Sequence, residues 1–203
     1  MATVAALTLA AAAAIAWRAM RPAPTRADAE SDRAARALVE HDAAAALAHA
    51  TGALELAPGH PQAAWNRALA LGDLGLERAV VVAFQAIAAR GEKGRSDEAK
   101  TRASTMRAAI ERQDARASTI VVPEATRAEL ERAWSEAKAA LHDGDAARAE
   151  TLALAALARA RAADVDAHDL PRRLYVVLAE ATRAEGKTAL ADAYIDEARL
   201  LLR

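Results

Sequence analysis

One turn-centred frame recurs along the chain and restricts it to stacked helix hairpins. With Gly144 and Gly186 as origins, Ala149, Ala153 and Ala156 stand five, nine and twelve residues downstream in one segment, and Ala191, Ile195 and Ala198 in the other. Seven residues upstream stand Ala137 and Ala179. The same frame at His41 gives Ala46, Ala50 and Ala53 downstream and Ala34 upstream. At Gly75 it gives Ala68 upstream and, with the turn shortened by one residue, Ala79, Ala83 and Ala86 downstream. Such spacing describes a helix, a tight turn and an antiparallel helix. Small residues meet where the helices cross, and glycine supplies the left-handed conformation that ends the first helix. Breaks are therefore expected at Asp42, Gly75, Gly144 and Gly186.

Boundary signals agree with an all-α chain. Thr25 with Asp28 reads as a capping box, Pro61 suits the first turn of a helix, and Pro123 and Asp169 mark further starts. The segment after Gly94 reads as one additional helix with Ser96 as its N-cap. The β-branched stretch from Ala117 to Val122 is the least helical part. The expected organisation is a hydrophobic N-terminal helix over 1–24, a first pair of hairpins plus an extra helix over 25–113, a linker over 114–123 and a second pair over 124–203.

Alanine accounts for most of the 54% hydrophobic content, and aromatic residues make up only 3%. Alanine has the highest helix propensity and lets helices approach closely, which suits thin helix pairs. The 27 basic and 28 acidic residues leave a net charge of −1, so no basic field favours nucleic acid. Without cysteine there are no disulfides, thiolate metal sites or cysteine nucleophiles. The bias to arginine over lysine, together with alanine, points to GC-rich codon usage and a bacterial source.

Residues Ala2 to Trp17 form an uncharged apolar run followed by Arg18, Arg21 and Arg26. A membrane span takes about 20 apolar residues, a length reached here over residues 2–20 if Arg18 snorkels to the headgroups. The principal expectation is a single-pass membrane anchor. The arginines after it would keep the repeats cytoplasmic. A cleaved signal ending at Ala14-Ile15-Ala16, which would place them in the periplasm, and a soluble alanine-rich helix remain open.

Tyr175, Leu178, Ala179, Gly186, Ala191, Ile195 and Ala198 resemble the large, small and turn positions of the tetratricopeptide repeat (TPR) family, and ALELAP ending at Pro58 resembles the end of such a repeat. The resemblance implies an α-solenoid of antiparallel helix pairs over nearly everything after Ala27. More narrowly, DRAARAL, HPQAAWNRALALGDLGL and RGEKGRSDEAK are similar to TPR arrays of bacterial membrane proteins carrying a CHAT protease or a zinc-binding anti-sigma module. The protease Cys/His pair and the zinc cysteines of those proteins have no counterpart here, so only the scaffold and the anchor are implied.

Trp65 and Trp134 each stand ten residues before a turn glycine. In the TPR resemblance that position faces a concave peptide groove, around which Asn66, Arg67, Lys138 and Arg173 would place polar donors. The alternative is that each indole fills the seam between repeats. Other signals have plainer explanations. ATRAEGKT ending at Thr188 lacks the first glycine and the preceding strand of a phosphate loop. Ser135 and Lys138 lack the companion elements of penicillin-recognising enzymes. Asp164, Asp166, His168 and Asp169, or Asp143 and Asp145, would offer oxygen ligands, but aspartate is ordinary in turns and caps. His41-Asp42 has no second histidine cluster beside it, and His49, His60 and His142 are scattered. No catalytic constellation assembles. The expected function is a non-catalytic scaffold binding a protein or peptide partner, with no metal or cofactor. The alternative is an accessory subunit of a bacterial protease or sigma-factor signalling system.

Overall fold

The computed structural model describes residues 23–92, 94–163 and 169–202. Nine helices and no strand occur among them: α1 (Arg26–Val39), α2 (Ala43–Leu56), α3 (Pro61–Asp73), α4 (Glu77–Ala89), α5 (Arg95–Ala117), α6 (Glu124–His142), α7 (Ala146–Ala162), α8 (Asp169–Ala184) and α9 (Thr188–Leu200). The expected anchor, residues 2–20, lies outside the described residues. Among those described, no helix is long and apolar enough to cross a membrane.

The four turns inside the hairpins α1/α2, α3/α4, α6/α7 and α8/α9 share one geometry. His41, Gly75, Gly144 and Gly186 have φ of 60°, 69°, 82° and 79°. At each, the turn residue's amide bonds back three residues and the next amide bonds back five: Asp42 N to Ala37 O and Asp145 N to Ala140 O at 2.9 Å, Leu76 N to Leu71 O at 3.0 Å, and Lys187 N to Thr182 O at 2.9 Å. This is the Schellman arrangement that satisfies the last carbonyls of a helix. In two of the four turns a side chain then caps the second helix, Asp42 accepting from Ala45 N and Asp145 from Arg148 N.

The turn at Gly75 has the same length as the others, so the expected one-residue shortening is absent. Val80, Phe84 and Ile87 occupy the downstream core positions and are buried, while Ala83 is partly exposed and Ala86 exposed. Elsewhere the small positions lie at the crossings. Ala34, Ala68, Ala137 and Ala179 are fully buried, as are Ala46, Ala149 and Ala191.

The hairpins stack so that α1 packs on α3 and α6 on α8, and α5 packs along α4. Helix α9 then returns to lie on both α2 and α4. One hydrophobic cluster consequently runs through all nine helices, with Leu47, Leu71, Phe84, Leu130, Leu174 and Leu178 among its larger members. Helix α5 continues through Ala117, because Ala117 is buried and Asp114 is held by Arg78. The irregular connection is therefore confined to 118–123, where Val121 is exposed and Val122 buried.

The capping box at Thr25 and Asp28 forms in both directions, and Pro61 opens α3. Ser96 is not a cap. Gly94, at φ 84°, precedes α5, and Ser96 sits in the first turn with its buried hydroxyl unpaired among the described residues.

Candidate functional site

The neighbouring helices α6 and α8 bring together Trp134, Lys138 and Arg173. The guanidinium carbon of Arg173 stands 3.7 Å from the centre of the Trp134 ring, and Lys138 Nζ stands 5.4 Å from it. Lys138 follows Trp134 by four residues, which places both on one helix face. Arg173 reaches across from α8 and donates to both carboxylate oxygens of Glu131 at 2.8 and 2.7 Å. Those bonds hold its guanidinium above the ordinary value, while the hydrogen bond from Arg172, followed by the charge of Arg173, holds the Asp169 carboxyl below its own. A cation over an indole contributes roughly 0.5–1 kcal/mol when exposed and about 2 when desolvated. Lys138 has no carboxylate partner among the described residues and is exposed. Glu131 was not anticipated as a member. The signal was present, since Glu131 and Arg173 both stand thirteen residues before their turn glycines and equivalent positions of stacked hairpins become neighbours.

Trp65 has different surroundings although it holds the same place in the frame. Its ring meets Phe84 of α4 edge-on, with centroids 5.3 Å apart at 71°. Arg102 of α5 covers Trp65 at 5.4 Å and Phe84 at 5.7 Å. The indole thus fills the junction of α3, α4 and α5. Asn66, expected as a groove donor, is instead only 2% exposed. Its amide nitrogen donates to Ser31 O at 2.9 Å, and its oxygen accepts from Gln62, whose own oxygen accepts from Arg95. Turning outward would strand Ser31 and Gln62 in a buried seam, at roughly 1–3 kcal/mol for each unsatisfied group. Arg67 meets neither tryptophan cluster. It lines a separate groove between α3, α4 and α9, together with Val82, Ala83, Ala86, Arg199 and Leu200.

A buried polar junction, without warning in the sequence, joins the two helix groups. Leu76 at the start of α4 offers no side-chain acceptor. Glu197 of α9, 3% exposed, supplies it by accepting from Arg78 N at 3.1 Å and Ala79 N at 2.8 Å. Burial pushes this carboxyl up despite the two amide bonds. Beside it Arg161 donates to Gly75 O and to the Tyr175 hydroxyl, both at 2.7 Å. Arg78 completes the junction by pairing with Asp114. Every one of these polar groups is spent on another part of the chain.

The remaining candidates have structural duties. His60 accepts from Ala63 N and meets Asp28 at 3.0 Å, and His49 meets Glu30 at 2.8 Å. Ser135 donates to Glu131 O within α6. Helix α8, rather than a strand, precedes Gly186. Asp164, Asp166 and His168 lie outside the described residues, and Asp169 is engaged by Arg172 and Arg173. Among the described residues no three metal-ligating side chains converge. No family model matches the sequence, and neither a curated protein nor a solved structure matches it.

Proposed function

We propose that this protein is a non-catalytic scaffold of the TPR type, an α-solenoid of paired helices that holds a segment of a protein partner. The four equivalent turns and the small residues at the hairpin crossings support the repeat reading. The observation that carries the binding role is the Trp134 cluster. There a partly exposed indole has a guanidinium at 3.7 Å from its ring centre and, at 5.4 Å, a lysine with no carboxylate partner among the described residues. Interface energy concentrates in such tryptophan and arginine anchors. Lys138 offers a charge for an acidic or carbonyl group of the bound segment. The apolar run from Ala2 to Trp17, extended to residue 20 by a snorkelling Arg18, supports a single-pass tether that keeps the scaffold at a membrane, with the repeats on the cytoplasmic side.

Partner capture and thermal unfolding, measured on the same variants, test this reading. Trp134→Ala should weaken capture by about 2 kcal/mol or more while helix content is retained. Trp65→Ala, which removes the ring packed on Phe84, should lower stability and leave capture per folded molecule intact. Equal capture by the wild type and Trp134→Ala would remove the site. Recovery of the full chain in the soluble fraction after carbonate extraction would remove the tether.

A further inference from the structure

We propose that the groove between α3, α4 and α9 is a second docking surface, and that its occupant is an acidic amphipathic helix of a partner protein. Its wall includes Ala79, Ala83 and Ala86, spaced on α4 so that a foreign helix can approach closely. Val82 adds a large apolar side chain that is 47% exposed, and the partly exposed Leu200 extends the apolar lining from α9 above the buried Leu71 of α3. The rim is cationic. Arg67 has no carboxylate partner among the described residues. Arg199, on the α9 side, meets the groove's single acid, Asp196, at 3.4 Å. Asp192, the other exposed acid of α9, is taken by Arg183 at 2.7 Å. An apolar trough with unmatched arginine charge complements an apolar helix stripe flanked by carboxylates. None of these residues belongs to the Trp134 cluster, so the two faces would serve one scaffold independently.

Fluorescence anisotropy with the full chain tests the proposal. The probe is a fluorescein-labelled peptide of about 14 residues with leucines at i, i+3, i+4 and i+7 and glutamates on the flanks. A twin carries lysines in place of the glutamates. The glutamate peptide should bind saturably and more weakly at high salt. Val82→Glu and Arg67→Glu should each reduce its affinity at least about tenfold, while Trp134→Ala leaves it unchanged. Both substituted side chains are solvent-accessible, and circular dichroism checks that the variants fold. Absence of saturable binding overturns the proposal, as does equal binding of the lysine twin. Loss of binding in Trp134→Ala alone would place the peptide on α6 and α8 and overturn it too. Concentration-dependent self-association abolished by Val82→Glu would identify a second copy as the occupant, with the same consequence.

Discussion

Replacing Glu197 with alanine tests how the two helix groups are joined. The carboxylate accepts from Arg78 N and Ala79 N at the start of α4, and Leu76 provides no local substitute. A buried donor left without an acceptor costs roughly 1–3 kcal/mol, and deleting a helix N-cap costs about 0.5–2 kcal/mol. Two effects keep the losses from simply adding. The adjoining cavity lets water approach the partly buried Arg78, and removing the charge returns part of its desolvation cost. The expected loss is therefore about 1–3 kcal/mol, measurable by urea unfolding. Glu197→Gln keeps one acceptor but turns its amide nitrogen toward the other backbone donor, and the discarded charge offsets part of that, so it should cost about 1 kcal/mol, less than the alanine variant. The pH dependence has a definite sign. Because the folded-state carboxyl is raised, its stabilising contribution is full below the ordinary carboxyl value and falls as pH rises through the folded value. The wild type should thus gain on the glutamine variant as pH falls from neutral through that range. A glutamine variant as damaged as the alanine one, or an alanine variant within about 0.5 kcal/mol of wild type, would refute the junction.

Three further outcomes follow from the turns and the buried tyrosines. Gly144→Ala should cost about 1–2 kcal/mol through its φ of 82° alone, since nothing lies near the added methyl; Gly75→Ala should cost about 1 kcal/mol more, because its methyl would stand 3.0 Å from Nη1 of an Arg161 guanidinium whose Nη2, 3.4 Å from the methyl, is held by Gly75 O and Tyr175, and equal losses in urea would show that Arg161 is free to move aside. His41→Gly should raise stability by about 0.5–1 kcal/mol by relieving the one non-glycine positive φ among the described residues, and a lowered melting temperature would contradict it. Burial pushes both tyrosines, Tyr175 and Tyr194, up to about 12, so half-titration of phenolate absorbance at the ordinary value near 10 would refute their packing; the unfolded chain releases those protons first, and stability should fall as pH rises from about 10 to 12.

The hairpin frame was legible because a Schellman turn needs a positive φ at one fixed place and small residues at fixed distances from it. His41 illustrates the point. It has no glycine's freedom, yet the alanines around it placed the turn correctly, and its φ is 60°. The alanine pattern misled where larger residues took the same role. At Gly75 the run from Ala79 to Ala86 suggested a shortened turn, but Val80, Phe84 and Ile87 fill the core, and the alanines fall to the side lining the α9 groove. A fixed offset could not separate those faces, because Ala79 and Val80 are adjacent and both apolar.

The different surroundings of the expected site residues have a related cause. Sequence position placed Trp65 and Trp134 at equivalent points of two first helices, and the residues that distinguish them belong to other elements. Helix α5 lays Arg102 over Trp65, whereas at Trp134 the guanidinium comes from α8, where Arg173 stacks across the seam. Asn66 similarly acquires its role from Ser31, thirty-five residues away. The return of α9 onto α2 and α4 was hidden for the same reason, since Glu197 in TALADAYIDEARL reads as an ordinary surface carboxylate. Only the missing cap at Leu76 makes its burial worthwhile, and those two residues are far apart in the chain. That pairing also directs the proposed binding faces. With α9 against the second helices of the first group, the first helices α6 and α8 keep the Trp134 face available, and the grooves flanking α9 become surfaces of their own.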